Sequence, residues 1–336
     1  MSKNFAGITL KLFIVTAIFA LAILQSQAAV NKIEEAKFIS IGGIEQWITI
    51  NGENKNLPLL IIVHGGPGDA QSCFTDVYAE YEKKFIVVQW DQRGSGKTFG
   101  KYHEQTPNLT IEQLVNDGIE LSEYLKKHFK RNDLIILGHS LGTAIATGMV
   151  IKRPDLFKAY VGTGQIASWA ESVQWLFEFM KNKAIESRDS SLLNELNEIG
   201  SPDPKNADQF FHFTKSRRKY LDTADLSWFG ILKKEVVKLP ASEVNNLDSG
   251  MMFSGKVLLP YQLEEHLSTN ALNFKVPYLV VQGADDLFTP TALVENYFAK
   301  IVAPRKKMII VKNAGHFAFV TNRERFIEEI EKFIKE

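Results

Sequence analysis

Three short apolar runs each stop abruptly at a glycine-bearing turn. Leu59–Val63 ends in His64-Gly65-Gly66-Pro67-Gly68, Phe85–Trp90 in Asp91-Gln92-Arg93-Gly94-Ser95-Gly96, and Leu134–Leu137 in Gly138-His139-Ser140-Leu141-Gly142. Runs of this kind leave almost no side for water. They suit strands buried on both faces of a sheet, the environment that a parallel sheet covered by helices provides. Helical stretches lie between and after them. Thr110 opens one that reaches about Lys130, with Leu114, Ile119, Leu121 and Leu125 as an imperfect stripe, and another runs from the serine turn to about Arg153. Tyr160–Gly162 reads as a further strand. Ahead of the series, Lys37–Ile41 and Gly43–Ile50 read as two short strands joined at Gly42-Gly43, with Asn51–Pro58 a polar turn. Alternating strand and helix imply an α/β fold with a mostly parallel sheet.

From Gln165 to about Leu267 the alternation stops. Helices and loops are expected there, rich in aromatics (Trp169, Trp175, Phe177, Phe179, Phe210, Phe211, Phe213, Trp228 and Phe229) and broken at Gly200-Ser201-Pro202-Asp203-Pro204. Sheet-type runs return at Tyr278–Gln282 and Met308–Val311. A final helix, Asn322–Lys335, carries Phe326, Ile330 and Phe333 on one side. The expected organisation is a catalytic α/β domain from 29–164 and 268–336, interrupted by a helical cap at 165–267.

The first residues read differently. Lys3 and Lys11 precede a 13-residue uncharged run, Leu12–Leu24, which ends in Gln25-Ser26-Gln27-Ala28-Ala29. A basic start, a short apolar centre and small residues before the cut match a secretory signal peptide, 1–28, cleaved after Ala28. A membrane span needs about 20 apolar residues, so an uncleaved anchor is the second choice. Export to the periplasm or medium is expected, with membrane contact only through this segment if it stays attached. The whole chain is 45% apolar, with 39 basic residues against 39 acidic ones, which disfavours nucleic-acid binding. The single cysteine, Cys73, forms no internal disulfide and no cysteine-based zinc site.

The chemistry is carried by three turns. Gly138-His139-Ser140-Leu141-Gly142 fits G-x-S-x-G between a buried strand and a helix, where a sharp turn exposes the serine hydroxyl at the carboxyl edge of the sheet. A serine needs a base, and the base needs an orienting acid. Asn313-Ala314-Gly315-His316 supplies His316, the one of seven histidines in the right chain order after a strand. Gly283-Ala284-Asp285-Asp286 supplies the acid. His139 and His64 are given structural roles. An oxyanion needs two aimed N–H donors, expected from Leu141 and Gly66. Gly94-Ser95-Gly96-Lys97-Thr98 mimics the end of a phosphate-binding loop, but the first glycine of that pattern falls on Asp91, so nucleotide hydrolysis is rejected. Arg217-Arg218-Lys219 reads as a solvated face.

The glycine turn at His64, the Asp91–Gly96 turn and the serine elbow together resemble the proline iminopeptidase branch of the α/β-hydrolase superfamily. The resemblance implies an eight-stranded, mostly parallel sheet flanked by helices, with a helical cap between strands six and seven. By the family pattern the acid is Asp286 rather than Asp285. Ser140, Asp286 and His316 carry over as the triad, and Gly66 and Leu141 as oxyanion donors. Leu141 stands where that branch usually has tryptophan. The branch reads a free amino terminus with cap glutamates, for which Glu171 and Glu178 are the candidates, and Trp169 is a further candidate for substrate binding. The function expected is an acyl-enzyme serine hydrolase, an aminopeptidase releasing N-terminal residues from short peptides, with no metal or organic cofactor. The alternative enzyme is a carboxylesterase or lipase-like hydrolase of small esters. The alternative of another class is a catalytically silent binding protein on the same fold.

Overall fold

The computed structural model describes residues 31–200, 209, 213, 215, 217–220, 223–264 and 270–336. The expected signal segment 1–28, the break at Ser201–Pro204, and Phe210 and Phe211 lie outside the described residues.

Eight strands form one sheet: β1 (Ile33–Ile41), β2 (Ile44–Gly52), β3 (Leu59–Val63), β4 (Ile86–Asp91), β5 (Leu134–His139), β6 (Phe157–Thr163), β7 (Tyr278–Gly283) and β8 (Lys306–Val311). Their spatial order is β1-β2-β4-β3-β5-β6-β7-β8. The β1–β2 hairpin and the β2–β4 pair are antiparallel, and every later pair is parallel. All residues of β3, β4, β5 and β7 are buried, as their continuous apolar runs require. Alternate residues enter opposite layers. Ile61, Val63, Ile136 and Val280 face one core, and Leu60, Ile62, Ile135 and Leu279 the other. At the outer edge, β8 leaves Lys306 exposed, which blunts an otherwise sticky strand.

The helices are α1 (Thr75–Glu82), α2 (Gly96–Tyr102), α3 (Ile111–Phe129), α4 (Leu141–Lys152), α5 (Trp169–Glu186), α6 (Ser190–Ile199), α7 (Thr223–Val236), α8 (Ala241–Glu264), α9 (Thr291–Lys300), α10 (Ala318–Thr321) and α11 (Arg323–Lys335). Thr110 caps α3, its side chain accepting the Gln113 N–H at 3.1 Å. Phe326, Ile330 and Phe333 are the buried face of α11, as their spacing implies. Helices α5–α8 all fall between β6 and β7. Among the described residues no helix is long and apolar enough to cross a membrane.

Candidate active site

The turns after β3, β5, β6, β7 and β8 open on the carboxyl edge of the parallel strands, where ligands of open α/β sheets gather. Ser140 joins β5 to α4 with φ 53° and ψ −125°, a conformation that costs a non-glycine residue energy. The neighbouring Gly142 makes it feasible, because a Cβ there would stand 2.0 Å from the Val63 carbonyl oxygen. The elbow is pinned by its backbone. The Ser140 N–H donates to Thr163 O at 3.1 Å, and the Thr143 hydroxyl donates to Ser140 O at 2.7 Å.

The next residue after Thr163 brings His316 in. A Cβ at Gly164 would lie 2.7 Å from His316 Cε1, so the elbow and the imidazole share one wall. His316 Nδ1 bonds Asp286 Oδ2 at 2.9 Å and Oδ1 at 3.1 Å. Both residues are 2% exposed. Phe288 stacks on the ring with centroids 4.4 Å apart. Asp286 also accepts the Thr289 hydroxyl at 2.7 Å, the N–H groups of Phe288 and Thr289, and the Gln282 amide at 2.9 Å. Burial pushes its carboxyl up, but the His316 charge, its hydrogen bond and those from Thr289 outweigh this and hold the group below the ordinary carboxylate value. Asp285 is exposed. With Nδ1 engaged, His316 has Nε2 left for a second partner. The Ser140 hydroxyl and His316 are not hydrogen-bonded to each other, a looseness usual before substrate arrives.

Gly66, at φ 107°, follows Gly65, where a Cβ would stand 2.7 Å from Ser140 Cβ, and Leu141 opens α4 directly after the serine. Neither N–H donates a hydrogen bond among the described residues, so both are available to an oxyanion. Two further histidines beside these turns, His139 and His64, are used by the framework. His139 Nε2 donates to His316 O at 3.1 Å. His64 Nε2 lies 3.2 Å from Ser95 Oγ, and Gln92 Nε2 donates to His64 O at 3.0 Å, tying the turn after β3 to the turn after β4. Arg93 of that second turn is buried in a two-point pair with Asp117 of α3.

The cap glutamates lie on the outer side of their helix. Glu171 and Glu178 are exposed. They sit on the side of α5 opposite its buried face of Trp169, Ser172, Val173, Leu176, Phe177 and Met180, and Glu178 is bonded to Gln174 at 3.3 Å. Trp169 is a core residue, 9% exposed. Two other carboxylates lie nearer the chemistry. Asp69, in the turn after β3, is partly exposed and close to Gly66: a Cβ on Gly66 would be 3.2 Å from Asp69 Cβ. Gln71 donates to Asp69 Oδ2 at 2.9 Å and accepts the Tyr78 hydroxyl in turn. Burial raises the Asp69 carboxyl above its ordinary value, opposed by the Gln71 bond and the His316 charge. Asp225 of α7 accepts the backbone N–H groups of His316 and Phe317. Asp69 is the residue just past the His64–Gly68 turn, a signal that was legible; Asp225 had none.

The profile of the alpha/beta hydrolase fold family matches residues 58–323. The chain belongs to that family. Within it the chain resembles the proline iminopeptidase branch. It is 28% identical over 309 residues to a probable aminopeptidase, YbaC, of Bacillus subtilis, covering 88% of this chain and 95% of the relative. It is 25% identical over 300 residues to the proline iminopeptidase of Lactobacillus crispatus, covering 87% of this chain and 95% of that protein. A solved proline iminopeptidase-related protein from Thermus thermophilus superposes with a TM-score of 0.64 at 16% identity, over 90% of this chain and 98% of that one. Family and relatives together support a hydrolase.

Proposed function

We propose that this α/β hydrolase is a serine hydrolase working through an acyl-enzyme, and that it is an aminopeptidase on short peptides. The observation that carries the first half is the strained Ser140 elbow beside the buried His316–Asp286 pair. Ser140 Oγ attacks the substrate carbonyl carbon, and its proton passes to His316 Nε2 while Asp286 holds Nδ1–H. The carbonyl oxygen becomes an oxyanion received by the N–H groups of Gly66 and Leu141. As the tetrahedral intermediate collapses, the scissile C–N bond breaks and His316 gives the proton to the leaving amine. Water then attacks the acyl-enzyme by the same route and releases the acid.

The aminopeptidase half is supported by the names of the relatives and by Asp69, a carboxylate beside Gly66 that no described lysine or arginine pairs with. A negative charge next to an oxyanion site opposes catalysis unless a cation sits between them. A substrate α-ammonium meets that need. The alternative, hydrolysis of small esters, is favoured by the outward position of Glu171 and Glu178, which leaves α5 without an amine reader. The reading of 1–28 as an export signal would put either activity outside the cytoplasm.

Proline p-nitroanilide and p-nitrophenyl butyrate, each tested with Ser140→Ala as control, separate the readings. Anilide hydrolysis lost in the variant, and lost when the proline nitrogen is acylated, is expected. Ester hydrolysis alone would keep the serine chemistry and remove the peptidase.

A further inference from the structure

Asp225 reaches the His316 turn from outside the sheet. It lies in the first turn of α7 and is fully buried. Its Oδ2 accepts the His316 N–H at 3.1 Å and its Oδ1 the Phe317 N–H at 3.1 Å. These are donors at the start of α10, which no intrahelical carbonyl can satisfy, and in a buried turn they must be paired. Trp228 and Phe229 follow at i+3 and i+4 on the same helix face and both pack on Phe317, Trp228 stacked with centroids 5.2 Å apart. Gly315 completes the fit, since a Cβ there would stand 2.2 Å from Asp225 Oδ2.

We propose that Asp225 is a positioning residue: it locks the His316 turn to α7, so that seating of this helix fixes the base against Ser140. The proposal rests on the serine-hydrolase reading. Among the described residues four titratable groups face His316: Asp286 after β7, Asp225 from α7, His139 at the end of β5 and, through its charge, Asp69 after β3. Two of them hold its backbone, Asp225 at the N–H and His139 at the carbonyl.

The test uses the full chain with Asp225→Ala, Asp225→Asn, Gly315→Ala and the Gly315→Ala/Asp225→Ala pair. Hydrogen exchange of the peptide spanning Gly315–Val320 is compared with that of Lys306–Val311. kcat, KM and the rate of Ser140 labelling by a fluorophosphonate are measured alongside. In Asp225→Ala, exchange should quicken in the first peptide and not the second. kcat should fall about tenfold to a hundredfold, the scale of a displaced catalytic group, with a smaller change in KM. Gly315→Ala should reproduce this loss alone and add little to Asp225→Ala, because both break one contact. In Asp225→Asn the acid limb of the kcat/KM profile should move to lower pH, since a negative charge facing the protonated imidazole is gone. A merely structural role would not move that limb. If Asp225→Ala does not fold, Asp225→Asn and Gly315→Ala give the same comparisons. Unchanged exchange with unchanged kcat, or losses that multiply in the pair, would overturn the proposal. Failure of the wild type to be labelled at Ser140 would sink the serine-hydrolase reading instead, and the exchange pattern would still decide whether Asp225 holds the turn.

Discussion

His139 Nε2 donates to the carbonyl oxygen of His316 at 3.1 Å, with the two rings 4.7 Å apart. The histidine next to Ser140 in sequence therefore serves the candidate base and does not compete with it. Burial, with the His316 charge second, holds His139 far below the usual imidazole range, so it stays neutral and donates from one nitrogen. His316→Ala should lower kcat by about 10⁴-fold or more, the scale of losing a base that works as a unit with its serine. His139→Ala should cost only about tenfold, the lower end of what a loosened group costs. Steady-state kinetics on the ester and the anilide check this, and equal losses would return His139 to consideration as the base.

His64 links stability to pH. Burial pushes its imidazole from 6.5 down to about 4. The unfolded chain therefore takes up a proton at His64 before the folded one does. The stability tied to a neutral His64 is complete above pH 6.5 and falls as pH drops toward 4, by about 3 kcal/mol at 1.36 kcal/mol per unit. Asp91 opposes it in part of that window, because burial raises its carboxyl to about 6 and protonation there favours the fold. Urea unfolding at pH 7.5, 5.5 and 4.5 should show a shallower acid loss in His64→Gln than in the wild type. Identical slopes would mean that His64 is charged in the fold.

The parallel strands were legible because a strand buried on both faces has no choice but to be apolar throughout, as in Leu59–Val63 and Leu134–Leu137. The candidate site followed, since its residues sit at the ends of those strands. Strand ends were less clear: β1 starts at Ile33 rather than Lys37, where burial alternates and the run looks polar. Helix α2 was not legible, with two glycines in seven residues. It is held by its surroundings, as where Asp91 Oδ2 accepts the Lys97 N–H at 2.8 Å. Asp225 could not be foreseen either. Its partners are backbone groups 91 and 92 residues away, and backbone donors leave no mark in a sequence.

Gly142 tests the elbow itself. A methyl group there meets the Val63 carbonyl oxygen at 2.0 Å and His64 O at 2.7 Å, both fixed backbone atoms of β3 and its turn. Relief requires α4 or β3 to shift, which costs about 1–3 kcal/mol or more for an overpacked core. Gly142→Ala should lower Tm by several degrees and slow fluorophosphonate labelling of Ser140. An unchanged Tm would show that the elbow is looser than this geometry.

Asp69→Asn decides between the two substrate classes. The change keeps the shape and the Gln71 contact geometry but removes the charge. A charge-assisted hydrogen bond is worth about 1.5–3 kcal/mol, so KM for proline p-nitroanilide should rise about tenfold to a hundredfold. Hydrolysis of p-nitrophenyl butyrate, which has no ammonium, should be unchanged or slightly faster, because the oxyanion no longer faces a carboxylate. The contrast between the two substrates is the measurement. An equal loss on both would make Asp69 a support of the turn after β3 and leave the aminopeptidase reading without its cation partner. A loss confined to the anilide would tie amine recognition to the turn that also carries Gly66, and so place it on the rigid sheet edge instead of the helical insertion.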